Sequence, residues 1–138
     1  MKRWPLLAAV AAALFAAGCV PPPGGSTNQP PPAPAGVLAL TGGGSGEVLV
    51  TWDPLPAAVG VAHFRVYENR LPGQFWLLGV VTGEALGTLQ PGRLGIVDAP
   101  DYWPWPTLQP PKRCYVVSAV STSGLEGPFS SQVCGSTP

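Results

Sequence analysis

From residue 37 onward, apolar and polar side chains alternate in short segments, which is the period of a β-strand with one buried face. In residues 47–53, the side chains of Val48, Val50 and Trp52 fall on one face. Similar segments occupy residues 37–40, 63–68, 76–81, 93–98, 114–120 and 128–134. No segment carries a helical apolar stripe of useful length. Seven short strands at this spacing predict an all-β chain folded as a β-sandwich.

Composition agrees with short strands, because the 138 residues include 19 prolines and 18 glycines, which favour turns over helices. Residues 20–36 are especially rich in proline and contain no charged or aromatic residue. Such a stretch buries too little apolar area to offset the entropy lost on ordering it. We therefore predict a tether at residues 19–36 and one folded domain at residues 37–138. The alternative interpretation of the tether is an inert remnant of domain fusion.

Residues 1–18 have the features of a secretory signal peptide. Lys2 and Arg3 make a basic start, and residues 4–17 are almost entirely apolar and uncharged. Small residues then precede Cys19. The apolar run is shorter than the roughly 20 residues that a membrane-spanning helix needs. The sequence therefore predicts export rather than a membrane span.

The segment Ala16-Ala17-Gly18-Cys19 resembles the lipobox of bacterial lipoproteins, although that family prefers leucine where Ala16 stands. The resemblance implies that Cys19 becomes the new N-terminus, carrying diacylglycerol on sulfur and an acyl chain such as palmitate on the amine. It also implies lipid anchoring in the cell membrane or outer membrane, with the domain extracytoplasmic. We expect no cofactor other than this covalent lipid. The alternative is an ordinary signal peptide cut nearby, with Cys19 left as a thiol.

The charge balance excludes one class of partner. The chain has seven basic and seven acidic residues, and loss of Lys2 and Arg3 with the signal peptide would leave a net charge of about −2. No basic stripe is present to attract nucleic acid. No polybasic segment follows Cys19 either, so membrane attachment would depend on the lipid.

The two remaining cysteines, Cys114 and Cys134, predict a disulfide, since an even pair of thiols joins outside the cytoplasm. Folding the chain about Gly124 places the two cysteines opposite each other in a hairpin. A bond between directly opposed residues requires the closer, non-hydrogen-bonded kind of pair. Zinc is a poor alternative, because the chain has one histidine and too few sulfur ligands. The same register would pair Val116 with Gln132 and Ser118 with Ser130.

Four further motifs occur in order: Val50-Thr51-Trp52-Asp53-Pro54, Phe64-Arg65-Val66-Tyr67, Tyr115-Val116-Val117-Ser118-Ala119-Val120 and Gly124-Leu125-Glu126-Gly127-Pro128-Phe129-Ser130. Together they resemble a fibronectin type III domain over residues 34–135. The resemblance implies a seven-stranded, immunoglobulin-like sandwich of two sheets. The family's buried corner tyrosine would fall at Arg113, which is a departure from its pattern. The resemblance also implies inward side chains at Trp52, Phe64, Val66, Tyr115, Val117, Ala119, Phe129 and Val133.

The sequence offers no recognisable catalytic group, so we expect no enzymatic activity. His63 lies on a predicted strand without a carboxylate at local spacing, and the serines lack a nucleophile-elbow motif. The acidic residues are scattered, without a close pair suited to glycoside hydrolysis. The glycines of residues 42–46 lack the lysine and following helix of a phosphate-binding loop. His63 is predicted as an outward strand residue.

An aromatic loop is the first candidate for binding a partner. Residues 98–111 are long for a strand connection and contain Tyr102, Trp103 and Trp105 beside several prolines. Rigid aromatic side chains suit sugar faces and protein hot spots. The alternative, which we favour, is that these rings cap one open end of the sandwich.

The outer face of the sheet that holds the third, sixth and seventh strands is the second candidate. Arg65 and Tyr67 are expected there with Val116 and Val120, beside the disulfide. Apolar residues on a solvent face mark partner sites. The alternative, which we favour, is that these residues occur on an exposed sheet because they have high β-propensity.

The sequence thus predicts a lipid-anchored envelope protein whose domain is a non-catalytic binding or scaffolding module. Its partner would be a protein or a polysaccharide of the envelope. The alternatives are a carbohydrate-binding accessory subunit of an envelope enzyme, in which the aromatic loop binds polysaccharide, and a purely structural spacer.

Overall fold

A computed structural model describes residues 28–44, 46–82, 90–99 and 112–136. These residues form an all-β sandwich of seven strands, which confirms the predicted fold class. One short 3-10 helix, Ala57–Val59, lies between the second and third strands. The strands in chain order are β1 (Leu38–Thr41), β2 (Val48–Trp52), β3 (Val61–Leu71), β4 (Gln74–Val81), β5 (Leu94–Asp98), β6 (Lys112–Ser121) and β7 (Val133–Ser136).

The strands divide into two antiparallel sheets. The first has the order β1-β2-β5 and the second the order β4-β3-β6-β7. β1, β5, β4 and β7 are therefore the edge strands. β4 is eight residues long, whereas β1 and β7 have four residues each and β5 has five.

The core lies between the two sheets and follows directly from the period-two pattern. In β2, Val48, Val50 and Trp52 are fully buried, and in β3 Phe64 and Val66 are buried opposite them. The rings of Trp52 and Phe64 pack with centroids 5.5 Å apart. Inward-facing apolar side chains of both sheets thus remove each other from water, which is the main stabilising contribution in a sandwich.

The predicted disulfide is present. Cys114 in β6 lies opposite Cys134 in β7, with their Cα atoms 4.0 Å apart and their sulfur atoms bonded. The hairpin register follows the prediction at this pair and at the neighbouring pair of Tyr115 and Val133. The bond therefore holds the short edge strand β7 to the centre of the larger sheet.

Closer to the turn, the hairpin departs from the predicted register. Val120 forms a bridge with Glu126, two residues from the partner that a regular hairpin would give it. The last strand consequently spans Val133–Ser136 rather than the predicted residues 128–134. The predicted pairs of Val116 with Gln132 and of Ser118 with Ser130 are not strand pairs, because the paired ladder ends at Val133.

The described part of the proline-rich segment packs against the sandwich. Pro31 and Pro34 are buried, and the carbonyl oxygen of Ala35 accepts a 3.0 Å hydrogen bond from the backbone N–H of Asp53. Gly127 is required at this contact, because a Cβ there would collide with the carbonyl oxygen of Pro31. Contacts with the folded domain thus begin before residue 37, the predicted start of the domain.

Candidate functional site on the outer face of the larger sheet

The outer face of the sheet β4-β3-β6-β7 carries Arg65 and Tyr67, as the sequence predicts. In β3 the buried side chains alternate with Arg65 and Tyr67, which places these two on the opposite face. Arg65 pairs with Val80 of β4, and Tyr67 pairs with Leu77. Because directly opposed residues share a face, Val80 and Leu77 also point outward.

The segment between β6 and β7 runs beside β6 and contains a bulge. The N–H of Gly127 donates to Ala119 O and the N–H of Ser130 donates to Val117 O, both at 2.8 Å. The two bonds start three positions apart in this segment but end two positions apart in β6, so the segment contains one extra residue. The hydroxyl of Ser130 also accepts a 3.0 Å hydrogen bond from the N–H of Val117, which fixes the end of the bulge.

The bulge turns Phe129 outward, so the prediction that Phe129 points into the core is wrong. Its ring lies 5.1 Å from that of Tyr67 and 5.2 Å from that of Phe75, measured between centroids. Phe129 remains 43% exposed. The extra residue reverses the alternation expected for a regular strand, and no sequence pattern reveals it. Val133, which the resemblance also placed inward, is half-buried against the core.

Val116 and Val120 do not contribute exposed apolar area to the outer face. They are only 3% and 2% exposed, so the expectation that they line a solvent-facing surface is wrong. The side chain of Glu126 lies on this face, where Ser118, which stands between the two valines along β6, donates a hydrogen bond to its carboxylate.

A single carboxylate ties this segment to the sheet. Glu126 accepts hydrogen bonds from Arg65 Nη1 at 2.6 Å, from Tyr67 Oη at 2.6 Å and from Ser118 Oγ at 2.5 Å. Burial acts to raise the pKa of Glu126, but the hydrogen bonds from Ser118, Tyr67 and Arg65 outweigh it, so the pKa lies below its usual value. Partial burial, and then the bond to Glu126, raise the pKa of Tyr67. Tyr67 is thus a neutral donor and Glu126 a charged acceptor.

Sequence reasoning missed the role of Glu126. Arg65 and Tyr67 are 61 and 59 residues away along the chain. The available signal was modest: two outward polar residues on one strand, and one acidic residue in the hairpin that closes beside it.

The outer patch, as we name it, consists of Tyr67, Phe75, Leu77, Val80 and Phe129. Phe75 shares this face because it pairs with Asn69, two residues beyond Tyr67. Four of these side chains are substantially exposed: Phe75 by 38%, Leu77 by 54%, Val80 by 52% and Phe129 by 43%. Apolar side chains grouped in this way on a sheet face are typical of a surface that meets a partner.

At the end of the sandwich where β5 stops and β6 starts, a second group of polar side chains is buried between the sheets. Arg113 Nη1 donates to Asp98 Oδ2 at 3.0 Å, and Tyr115 Oη donates to the same oxygen at 2.6 Å. Arg70 Nε lies 2.7 Å from a carboxylate oxygen of the buried Glu68. Arg113, where the sequence resemblance led us to expect a tyrosine, thus forms a buried ion pair with Asp98.

The remaining predicted residues lie outside the described part of the chain. They are Cys19 and the three aromatic residues Tyr102, Trp103 and Trp105. His63 is half-buried on β3.

Two kinds of feature are absent from the described residues. Residues 28–44, 46–82, 90–99 and 112–136 contain no helix that is long and apolar enough to span a membrane. Within those same ranges, no three His, Cys, Asp or Glu side chains are grouped so that they could hold a metal ion.

Comparison with known proteins gave similarity to solved structures alone. No family model and no curated protein matches the chain. A β-1,2-glucanase from Parabacteroides distasonis is similar over 78% of this chain and 12% of its own, with 16% identity and a TM-score of 0.49. Pectate lyase PelI from Erwinia chrysanthemi, solved in complex with tetragalacturonic acid, is similar over 71% of this chain and 26% of its own, with 17% identity and a TM-score of 0.44. Pectate lyase Pel3 from Pectobacterium carotovorum has the same coverage and TM-score at 12% identity. The chain thus spans a small part of each of these larger proteins.

Proposed function

We propose that this chain is a lipid-anchored, extracytoplasmic envelope protein whose fibronectin type III-like domain binds a protein partner without catalysis. The observation that carries the binding role is the outer patch, in which Phe75, Leu77, Val80 and Phe129 stay exposed on one sheet face. These four side chains leave apolar area in contact with water, and a partner would remove that area from solvent.

The fold supports the fibronectin type III-like assignment. Seven strands form two sheets, and Trp52, Tyr115 and Val117 are fully buried between them, as that resemblance implies. Arg113, with its ion pair to Asp98, departs from the tyrosine that the resemblance implies.

The arrangement of acidic side chains supports a non-catalytic role. A carboxylate that acts as an acid, base or nucleophile must reach its substrate. In the described residues, each acidic side chain accepts a hydrogen bond or ion pair from the fold itself, which gives each of them a structural role. Glu47 accepts from the N–H of Gly44, Asp53 from Arg93, and Glu68 from Arg70. Asp98 accepts from Arg113 and Tyr115, and Glu126 accepts from Arg65, Tyr67 and Ser118.

The disulfide supports export. A bond between Cys114 and Cys134 persists in an oxidising compartment and leaves Cys19 as the remaining cysteine of the chain. A third cysteine outside this pair is suited to lipid attachment. The lipid would then hold the domain at the membrane through the segment that precedes residue 28.

The anchor is tested by the intact mass of the protein from the native membrane fraction. We expect a chain that begins at Cys19 and carries added acyl mass, and we expect Cys19→Ala to release the protein from the membrane. An unacylated, soluble product of the native sequence would overturn the anchor.

The binding role is tested by placing a photo-crosslinking amino acid at Phe75 in the membrane-bound protein. We expect a covalent product of defined mass that disappears when Leu77→Lys is added, because a charge would then enter the patch. The matched control is Leu38→Lys, since Leu38 is 46% exposed on the other sheet. Absence of any product at Phe75 would overturn the binding role of the patch. Retention on envelope polysaccharide that is lost in Trp103→Ala, Trp105→Ala would instead support the carbohydrate-binding alternative.

A further inference from the structure

We infer that the occupant of the outer patch is a second copy of this chain, seated so that the same surface of both copies meets about a two-fold axis. This inference rests on the proposed function, because it names the partner of that binding surface. Most soluble oligomers are symmetric, and a two-fold interface requires a surface that complements itself. The outer patch meets this requirement in its apolar centre, its polar rim and its rigidity.

The centre of the patch is apolar and uncharged. Phe75, Leu77 and Val80 belong to a strand whose eight residues include no charged side chain and no proline. Natural edge strands are usually protected from association by charges or prolines, and β4 has neither. Two register shifts interrupt the pairing of β3 with β4, and Phe75, Leu77 and Val80 are exposed on the outer face of β4. Uncharged side chains can face their own copies without like-charge repulsion.

The rim of the patch is polar and carries one charge of each sign. The side chains of Arg65 and Glu126 form a 2.6 Å ion pair and are 37% and 28% exposed. Farther along, the Asn69 side-chain amide donates a 2.8 Å hydrogen bond to Gln132. An apolar, aromatic centre within a polar rim is the usual composition of a protein interface. When such a rim meets its own copy, Arg65 of one copy can approach Glu126 of the other. An arrangement that brings these opposite charges together is favoured over one that brings like charges together.

The patch is also held in place before any partner arrives. Phe129 is fixed on both sides, by the backbone bonds of Gly127 and Ser130 to β6. The ring of Phe129 contacts those of Tyr67 and Phe75, and Tyr67 is itself bonded to Glu126. Side chains that are already ordered lose little entropy on association, so more of the contact energy is retained as affinity.

The test uses the full chain, co-expressed in two forms with different epitope tags and carrying the photo-crosslinker at Phe75. We expect a crosslinked product that contains both tags and has twice the mass of the monomer. In sedimentation of the detergent-solubilised protein, Leu77→Lys and, separately, Val80→Lys should weaken the dimer about tenfold or more, as loss of a central apolar contact does. Leu38→Lys should leave the dimer unchanged. An intact disulfide and a cooperative thermal transition establish that each variant is folded, since the midpoint itself is expected to fall when the dimer weakens.

The outcomes separate this inference from the proposed function. A Phe75 product that contains a different protein and never both tags would overturn self-association and leave the binding role standing. No product of any kind would overturn both. A dimer that tolerates Leu77→Lys and Val80→Lys, or that Leu38→Lys weakens equally, would overturn the assignment of the outer patch as the dimer surface.

Discussion

The hydroxyl of Tyr115 donates a 2.6 Å hydrogen bond to the carboxylate of Asp98 and thereby joins β6 of one sheet to β5 of the other. Both residues are almost completely buried. Burial, and then the bond to Asp98, raise the pKa of Tyr115 well above its usual value, so the phenol remains a neutral donor. Arg113 binds the same carboxylate oxygen, which compensates the buried negative charge.

Replacing Tyr115 by Phe should therefore destabilise the domain by about 1.5–3 kcal/mol, the usual contribution of a hydrogen bond to a charged group. Urea denaturation would measure this loss of unfolding free energy, and we expect the dependence of that free energy on urea concentration to be unchanged. The matched control is Tyr67→Phe, which removes a 2.6 Å bond to Glu126 near the surface and should have the smaller effect. Equal losses in the two variants would contradict a special contribution from the bond between the sheets.

The pKa of Glu126 gives a pH dependence of definite sign. Because its pKa is lowered in the folded protein, its contribution to stability is fully present above the ordinary value of 4.5 and is lost as pH falls through the folded value. Urea midpoints measured between pH 6 and pH 3 should therefore fall less steeply in Glu126→Gln than in the native chain. Ser118→Ala, which removes one donor to Glu126, should give an intermediate slope. Parallel pH profiles for all three proteins would contradict this origin of the shift.

Reduction of the bond between Cys114 and Cys134 should lower the free energy of unfolding by about 3 kcal/mol. The bond joins residues 20 positions apart and thereby reduces the conformational entropy of the unfolded chain. Urea denaturation with and without reductant would measure the change. The double variant Cys114→Ala, Cys134→Ala should match the reduced protein and should not respond to reductant. A native chain with the same midpoint under both conditions would contradict the prediction.

Much of the sandwich is predictable because its strands follow simple alternation. Val48, Val50 and Trp52 are buried as the pattern requires, and Arg65 and Tyr67 lie outward for the same reason. The two cysteines could be paired from the position of the turn, since both strands are regular where they meet.

The candidate site was less predictable, because it depends on features that break alternation. One extra residue in the bulge turns Phe129 outward, and this insertion has no local sequence signature. Burial of the charged Arg113 side chain is explained by its ion pair with Asp98, which comes from the other sheet and is distant from a strand pattern read locally. The exposure of Leu77 and Val80 depends on β4 being an edge strand, which is a property of the sheet order and not of the strand itself.

The bond between Cys114 and Cys134 also makes the domain mechanically asymmetric. A pull on the chain before β1 acts first on the contacts of residues 31–35 and then on a four-residue strand that antiparallel pairing holds to β2, so these contacts can separate one after another. A pull from beyond Ser136 is transmitted through the sulfur atoms to Cys114, in the strand that lies between β3 and β7. Under load the domain would yield first on its N-terminal side, while the chain from Cys114 to Cys134 stays a closed, inextensible loop.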